Sequence, residues 1–192
     1  MTVSWMPNKH LIAALLLVAI CLGALVFYEW QGEQIDLSFE TISQIDYGGY
    51  ENHEYLFIEN SEEWGRIWSL ALPDGSLSPE INFSTHIVIA VFMGERSTGG
   101  YEVSIERITD VGGEIIVNVD EIYPGRIFVT EAFTWPHHII KVERVQKPMV
   151  FEVQQFLAHS HDKNENPYDG IIYELLGKHR VETGSSPPEP SV

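Results

Sequence analysis

Histidines and carboxylates are the residues of this sequence whose types and spacing could do chemistry. His159 and His161 lie two residues apart with Asp162 beside them. In a strand both histidines would point the same way, as two metal ligands do. The sequence identifies no third ligand, so a metal-binding protein is the weaker interpretation and polar surface or loop histidines the stronger one. Adjacent His137 and His138 would face opposite sides of a strand and could not readily chelate one ion together.

Other short patterns do not form an active site. His53 and Glu54 begin like a zinc-protease helix motif, but Phe57 stands where the second histidine is needed. Asp110, Asp120 and Glu121 lie near turns and could bind calcium, but without the ligand-rich spacing of a calcium loop. The sequence contains no nucleophile elbow, Walker loop or dinucleotide fingerprint. We therefore predict no catalytic residue, no metal site and no cofactor, and expect a protein that is not an enzyme.

The stretch around residues 86–105 predicts two strands joined by a glycine-rich turn. Residues 86–93 are almost continuously apolar and rich in β-branched side chains, and apolar and polar residues alternate over 101–105. Gly94, Gly99 and Gly100 allow backbone angles that are closed to other residues. The turn is either a plain hairpin connection or a recognition loop, since exposed loops on rigid sheets often carry binding.

The turn has a pattern that resembles a known family. In order and spacing, the matching residues are Gly94, Arg96, Thr98, Gly99, Gly100 and Tyr101. This pattern is similar to the C-terminal domain of the protease-complex subunit PrcB family, and weaker flanking similarity extends the resemblance over roughly residues 42–145. The resemblance implies an envelope protein that associates with a surface protease and stabilises it. The partner-binding residues expected from it are Arg96, Ser97, Thr98, Gly99, Gly100 and Tyr101.

The expected partner is therefore an envelope protease or another envelope protein. A second interpretation is a protease inhibitor, because the turn at 97–101 also resembles the Thr-Gly loop of chagasin-like cysteine-protease inhibitors, which are β-sandwiches. With 11 basic and 28 acidic residues, the chain has a net charge of −17. This charge argues against nucleic-acid binding, whose affinity comes largely from Lys and Arg meeting phosphates.

The N-terminal part of the sequence predicts a transmembrane helix. Residues 11–28 carry no charge, and as a helix they would extend about 27 Å. Lys9 precedes the run and all acidic residues follow it, which predicts a cytoplasmic N-terminus and an extracytoplasmic, periplasmic or surface-located domain. A signal anchor is favoured over a cleaved secretory signal. A lipoprotein is the third alternative, with Ile20 before the single Cys21 as a departure from the lipobox.

Turn residues recur at short intervals along the rest of the chain, which predicts a mainly β fold. We expect an antiparallel β-sandwich or barrel-like domain with one short inserted helix, preceded by the transmembrane helix. Asn60 and Glu63 predict the start of the inserted helix. The predicted division of the chain is cytoplasmic N-terminus 1–10, signal anchor 11–28, tether 29–41, PrcB-like β-domain 42–145, C-terminal extension 146–177 and disordered tail 178–192.

Overall fold

A computed structural model describes residues 9–30, 34–160 and 171–190 of the chain. The chain divides into two compact units, Met1–Gln34 and Ile35–Val192. The first unit contains helix α1 (Lys9–Trp30). The second contains nine strands and one helix, among the residues described. The predicted cytoplasmic segment 1–10 lies almost entirely outside the described residues.

The elements of the second unit follow one another along the chain as short strands interrupted by a single helix. They are β1 (Ile35–Asp36), β2 (Phe39–Ile45), β3 (His53–Ile58), α2 (Ser61–Ala71), β4 (His86–Met93), β5 (Glu102–Asp110), β6 (Ile115–Pro124), β7 (His137–Glu143), β8 (Met149–Ser160) and β9 (Ile171–Val181).

The strands form two sheets that pack face to face. One sheet has five strands in the order β1-β5-β6-β8-β9, and the other has four in the order β2-β7-β4-β3. Neighbouring strands are antiparallel except β6 and β8, which are parallel. A single apolar core with residues from both sheets lies between them. The predicted mainly β sandwich is therefore confirmed, although one sheet is mixed.

Strand β4 is buried on both faces, which explains its unbroken apolar sequence. Alternate residues along it belong to two different cores because successive side chains of a strand point to opposite faces. Ile87, Ile89, Val91 and Met93 pack into the core between the sheets. Val88, Ala90 and Phe92 pack into a second core on the outer face of the four-stranded sheet.

Helix α2 covers that outer face, so the domain has three layers. Asn60 is its N-cap, and the Asn60 side chain accepts a hydrogen bond from the backbone N–H of Glu63 at 2.9 Å. Trp64, Ile67 and Trp68 share one face of the helix and are buried. The predicted inserted helix, with its cap at Asn60, is confirmed.

The prediction of a transmembrane helix at residues 11–28 is corrected by the structure. Among the residues described, no helix is both long and apolar enough to cross a membrane. Crossing the hydrocarbon core takes about 20 consecutive apolar residues.

The region beyond residue 145 contributes to the same sandwich. β8 pairs with β6 from Met149 to Ala158, and β9 pairs with β8 up to Val181 opposite Phe151. The predicted disordered tail 178–192 begins inside β9, and an isolated bridge joins Ser185 to Tyr55 of β3. These segments are ordered by pairing with strands that are distant in sequence, which their local composition does not indicate.

We predict that Ile67→Ala destabilises the domain by about 2–5 kcal/mol, because it leaves a cavity where α2 meets the four-stranded sheet. Leu70→Ala is the matched control, since Leu70 lies on the same helix but is 45% exposed. It should change the free energy of unfolding by no more than about 0.5 kcal/mol. Urea denaturation followed by tryptophan fluorescence measures both, and equal effects would contradict the packing described for α2.

Candidate functional site

A carboxylate interrupts the apolar face of strand β6. Ile115, Val117 and Val119 alternate into the core between the sheets, and the next positions on that face are Glu121 and Tyr123. Glu121 is completely buried. A buried carboxylate is costly unless charges and hydrogen-bond donors compensate for the lost water, so the groups around Glu121 determine what this region can do.

Donors from three strands surround Glu121. Its Oε1 lies 2.5 Å from Nε2 of His53 and accepts a 2.5 Å hydrogen bond from the hydroxyl of Tyr55. Its Oε2 accepts hydrogen bonds from the hydroxyl of Tyr123 at 2.8 Å and from Nε2 of Gln155 at 3.0 Å. His53 and Tyr55 share a face of β3, and Gln155 is directly opposite Glu121 in the β6–β8 pair. We call these five residues the Glu121 cluster.

The cluster keeps Glu121 ionised. Burial alone would raise the pKa of Glu121, but hydrogen bonds from His53, Tyr55 and Gln155 and the charge of His53 hold it below its usual value. Burial, followed by the nearby Glu121 charge, raises the pKa of Tyr55 well above that of a free tyrosine. With both oxygens occupied and no exposed surface, Glu121 has the geometry of a structural carboxylate. A general base needs direct or water-mediated access to the proton that it removes.

Arg96 lies next to this cluster and joins it to the surface. Its guanidinium carbon is 5.1 Å from the ring centre of Tyr101 and 5.7 Å from that of Tyr123, within the range of cation–π attraction. Its terminal nitrogens donate to Glu189 at 3.0 and 2.7 Å, a bidentate pair. Nδ1 of His53 lies 3.1 Å from the same carboxylate. The Arg96 side chain is only 12% exposed.

Two loops, residues 94–101 and 125–134, pack against each other, and Arg96 lies in the first of them. The backbones of Arg96 and Thr134 exchange two hydrogen bonds of 2.8 and 2.9 Å, and the N–H of Gly99 donates to the carbonyl of Thr130 at 2.9 Å. We call this pair of loops the paired loops. Because each loop is hydrogen-bonded to the other, they form one surface.

Glycine is required at two positions of the first loop. Gly94 has φ +74°, and a Cβ atom there would lie 2.7 Å from the carbonyl oxygen of Glu51. Gly100 has φ +85°, and its Cβ would lie 2.7 Å from a methyl group of Val129. Positive φ disfavours other residues, so these glycines shape the loop and allow the second loop to approach.

Residues 87–143 match the family model described as PrcB C-terminal. We call these residues the PrcB C-terminal segment, after the family that they resemble. Neither the curated protein sequences nor the solved structures gave a significant match to the chain. The match is narrower than the region 42–145 expected from the sequence.

The PrcB C-terminal segment contains strands β4 to β7, both paired loops, Arg96 and Glu121. His53, Gln155 and Glu189, which complete the polar environment, lie outside it. The site is therefore assembled by the family segment together with β3, β8 and the residues after β9.

The predicted partner-binding residues occupy different environments within the PrcB C-terminal segment. Ser97 and Gly100 are exposed, Thr98 is half-buried, and Gly99 is buried under the second loop. Arg96 and Tyr101 face inward, with Tyr101 packed against the core between the sheets. Their role in partner binding stays a prediction, and Ser97 and Gly100 are the members most accessible to a partner.

Exposed aromatic residues lie on the second of the paired loops and near it, and the sequence patterns do not indicate them. Phe128 is 89% exposed and Phe133 is 56% exposed, both on the second loop. Tyr47 is 65% exposed and pairs through its backbone with Trp135, whose ring contacts Phe133. We call Tyr47, Phe128 and Phe133 the aromatic surface. No local signal in the sequence separates Phe128 from its apolar neighbours Ile127 and Val129.

The histidines considered for metal binding contact different partners. On β7, His137 and His138 are buried, bonding Ser43 and Thr41 respectively. His159 pairs with Glu174 at 3.0 Å, while His161 and Asp162 lie outside the described residues. No group of three or more potential metal-ligating side chains occurs in the part of the chain that the structure describes.

We predict that Glu121→Gln destabilises the domain by about 2–4 kcal/mol at pH 7, because an amide presents one N–H₂ group to side chains that donate to a carboxylate. The exposed Glu143→Gln on β7 is the matched control. Urea unfolding measures both variants. If Glu121→Gln unfolds at the wild-type urea concentration, the cluster contributes no net stability.

We also predict that acid destabilises the domain through His137. Burial lowers the pKa of His137 to about 4, whereas an unfolded histidine titrates near about 6.5. The unfolded state therefore binds more protons between these values, and stability falls as the pH drops below about 6.5.

Between pH 7.5 and pH 5 the loss from His137 is about 2 kcal/mol. His137→Gln, which keeps a donor near Ser43 but does not titrate, should remove that part of the pH dependence. His86→Gln serves as the control. Urea titrations at both pH values decide the matter, and an unchanged pH dependence in His137→Gln would show that His137 is not responsible.

Proposed function

We propose that this chain is a non-catalytic accessory subunit that docks onto an envelope protease and stabilises it. The family match of residues 87–143 relates the domain to protease complexes. Stabilisation needs no catalytic group, because binding to the folded partner shifts its folding equilibrium by mass action. The buried, fully hydrogen-bonded Glu121 is consistent with such a role.

The observation that carries the proposal is the aromatic surface beside the paired loops. Aromatic residues are enriched where protein interfaces derive most of their binding energy. Phe128 and Phe133 expose most of their rings on a loop whose backbone is fixed by hydrogen bonds to the first loop. A fixed loop loses little conformational freedom on binding, which favours affinity.

The sequence-predicted residues contribute to this docking surface in two ways. Ser97 and Gly100 are exposed on the first loop, and the open side of Gly100 faces Val129, the residue after Phe128. Arg96, Gly99 and Tyr101 stabilise the conformation of the first loop from its buried side. An extracytoplasmic location, expected from the sequence, would bring the domain to such a protease.

Replacing both exposed phenylalanines tests the proposal. We expect Phe128→Ser/Phe133→Ser to weaken capture of a protease from native envelopes by at least about tenfold, because two exposed apolar contacts are lost. The thermal unfolding temperature should stay within about 2 °C of the wild type. Crosslinking, quantitative mass spectrometry and calorimetry provide the measurements.

Leu77→Ser is the matched control, because Leu77 is 92% exposed and lies on the separate loop between α2 and β4. It should leave capture unchanged. Normal capture by the double variant would contradict docking through the aromatic surface. A protease activity assay then separates two outcomes: slower loss of activity with the chain present supports stabilisation, and direct loss of activity supports inhibition.

A further inference from the structure

Residues 183–190 follow β9 and run along the outer edge of β3; we call them the tail segment. β3 is an edge strand of the four-stranded sheet, with β4 on its inner side. The N–H of Tyr55 donates to the carbonyl of Ser185 at 3.1 Å, and the N–H of Gly184 donates to the carbonyl of Tyr55 at 2.8 Å. The N–H of Phe57 donates to the hydroxyl of Thr183 at 3.1 Å. The tail segment thus adds a short strand-like pairing to an edge that would otherwise be open.

Further along, side chains of the Glu121 cluster and Arg96 hold the tail segment. Nε2 of Gln155 donates to the carbonyl of Pro188 at 3.1 Å. Pro187 is buried against the domain. Arg96 and His53 both contact the carboxylate of Glu189. One short segment is therefore bound through its backbone, its prolines and one carboxylate.

We propose that this edge is a binding site for an extended, proline-containing acidic segment of a partner protein, and that the tail segment occupies it in cis. Addition of an extended segment to a sheet edge is a common mode of peptide recognition. The proposal goes beyond docking through the aromatic surface, since it concerns the edge of β3 and the carboxylate bound by Arg96 and requires no protease.

The chemistry of the site specifies its ligand. The planar guanidinium of Arg96 forms a bidentate pair with a carboxylate. Prolines suit the middle of the segment, because they lack an N–H donor and hold the backbone extended at low entropic cost. At Gly184, where the N–H is used by Tyr55, a non-proline residue is needed.

The contacts of the tail segment allow another ligand to replace it. Nε of Arg96 is buried and has no hydrogen-bond partner among the described residues. A carboxylate approaching side-on could accept from Nε and one terminal nitrogen together, which the tail segment does not achieve. The Glu189 side chain is 54% exposed. A cleft of about 570 Å³ is lined both by the end of β9 and by residues 185–188.

A tethered ligand has a large effective concentration, so an external segment competes only when the tail segment is weakened. Gly184→Pro removes the donor to Tyr55 and cannot adopt the φ of +74° at that position. Glu189→Ala removes the carboxylate that contacts Arg96. Both changes lie in the tail segment and leave the proposed site intact.

The test uses the full chain and a fluorescent peptide with the sequence of residues 182–190. The Gly184→Pro/Glu189→Ala chain should bind this peptide at least about tenfold more tightly than the wild-type chain does. A chain with Glu182→Ala, a change at an exposed residue of the same region, should behave as the wild type. Fluorescence anisotropy measures binding, and calorimetry shows that each chain is folded.

Two further arms test specificity. We call the Gly184→Pro/Glu189→Ala chain the released chain. A peptide with Glu189→Gln should bind it about tenfold more weakly than the normal peptide does. Adding Arg96→Gln to the released chain should weaken binding of the normal peptide by about the same factor. The proposal is overturned if the folded, released chain does not bind the peptide, or if binding ignores both changes. It is also overturned if the wild-type chain sediments as a dimer that Gly184→Pro/Glu189→Ala dissociates, because the occupant is then a second copy.

Discussion

The need to compensate one buried negative charge governs this fold. Glu121 lies between two sheets, and its donors come from β3 of one sheet and from β6 and β8 of the other. Breaking such a cluster by removing a partner leaves an uncompensated charge in a region of low dielectric constant, which costs several kcal/mol. Apolar contacts tolerate small displacements, whereas hydrogen bonds of 2.5–3.0 Å do not. The cluster therefore fixes how far one sheet can slide over the other.

The same cluster supports the molecule's surface. Tyr123 donates to Glu121 and places its ring beneath Arg96. Arg96 in turn shares backbone hydrogen bonds with Thr134, which join the paired loops. The proposed docking surface and the edge of β3 are thus both built on one polar core. This continuity explains why some residues that resemble a family's loop motif face inward. Arg96 and Tyr101 maintain the loop, whereas Ser97 and Gly100 are exposed.

The sequence was sufficient where structure depends on local pattern, and insufficient where it depends on distant partners. The apolar run at 86–93 and the cap at Asn60 predicted β4 and α2 correctly, because burial on both faces and helix capping leave local signals. Glu121 was not predicted as a core residue because it was expected to lie near a turn. The alternation of Ile115, Val117 and Val119, continued by two residues, puts Glu121 on the core face of β6. The order after Val181 depends on an open edge at β3 and on Arg96, neither of which the composition of the tail segment indicates.

The parallel pairing of β6 with β8 also has a consequence for biosynthesis. Glu121 precedes its partner Gln155 by 34 residues, and at cellular rates of about 5–20 residues per second that interval lasts about 2–7 s. During it the nascent chain carries an ionisable group whose buried environment does not yet exist. Native closure of the sandwich must therefore wait for β8, which makes the five-stranded sheet late to form and leaves its early strands in need of protection on the ribosome.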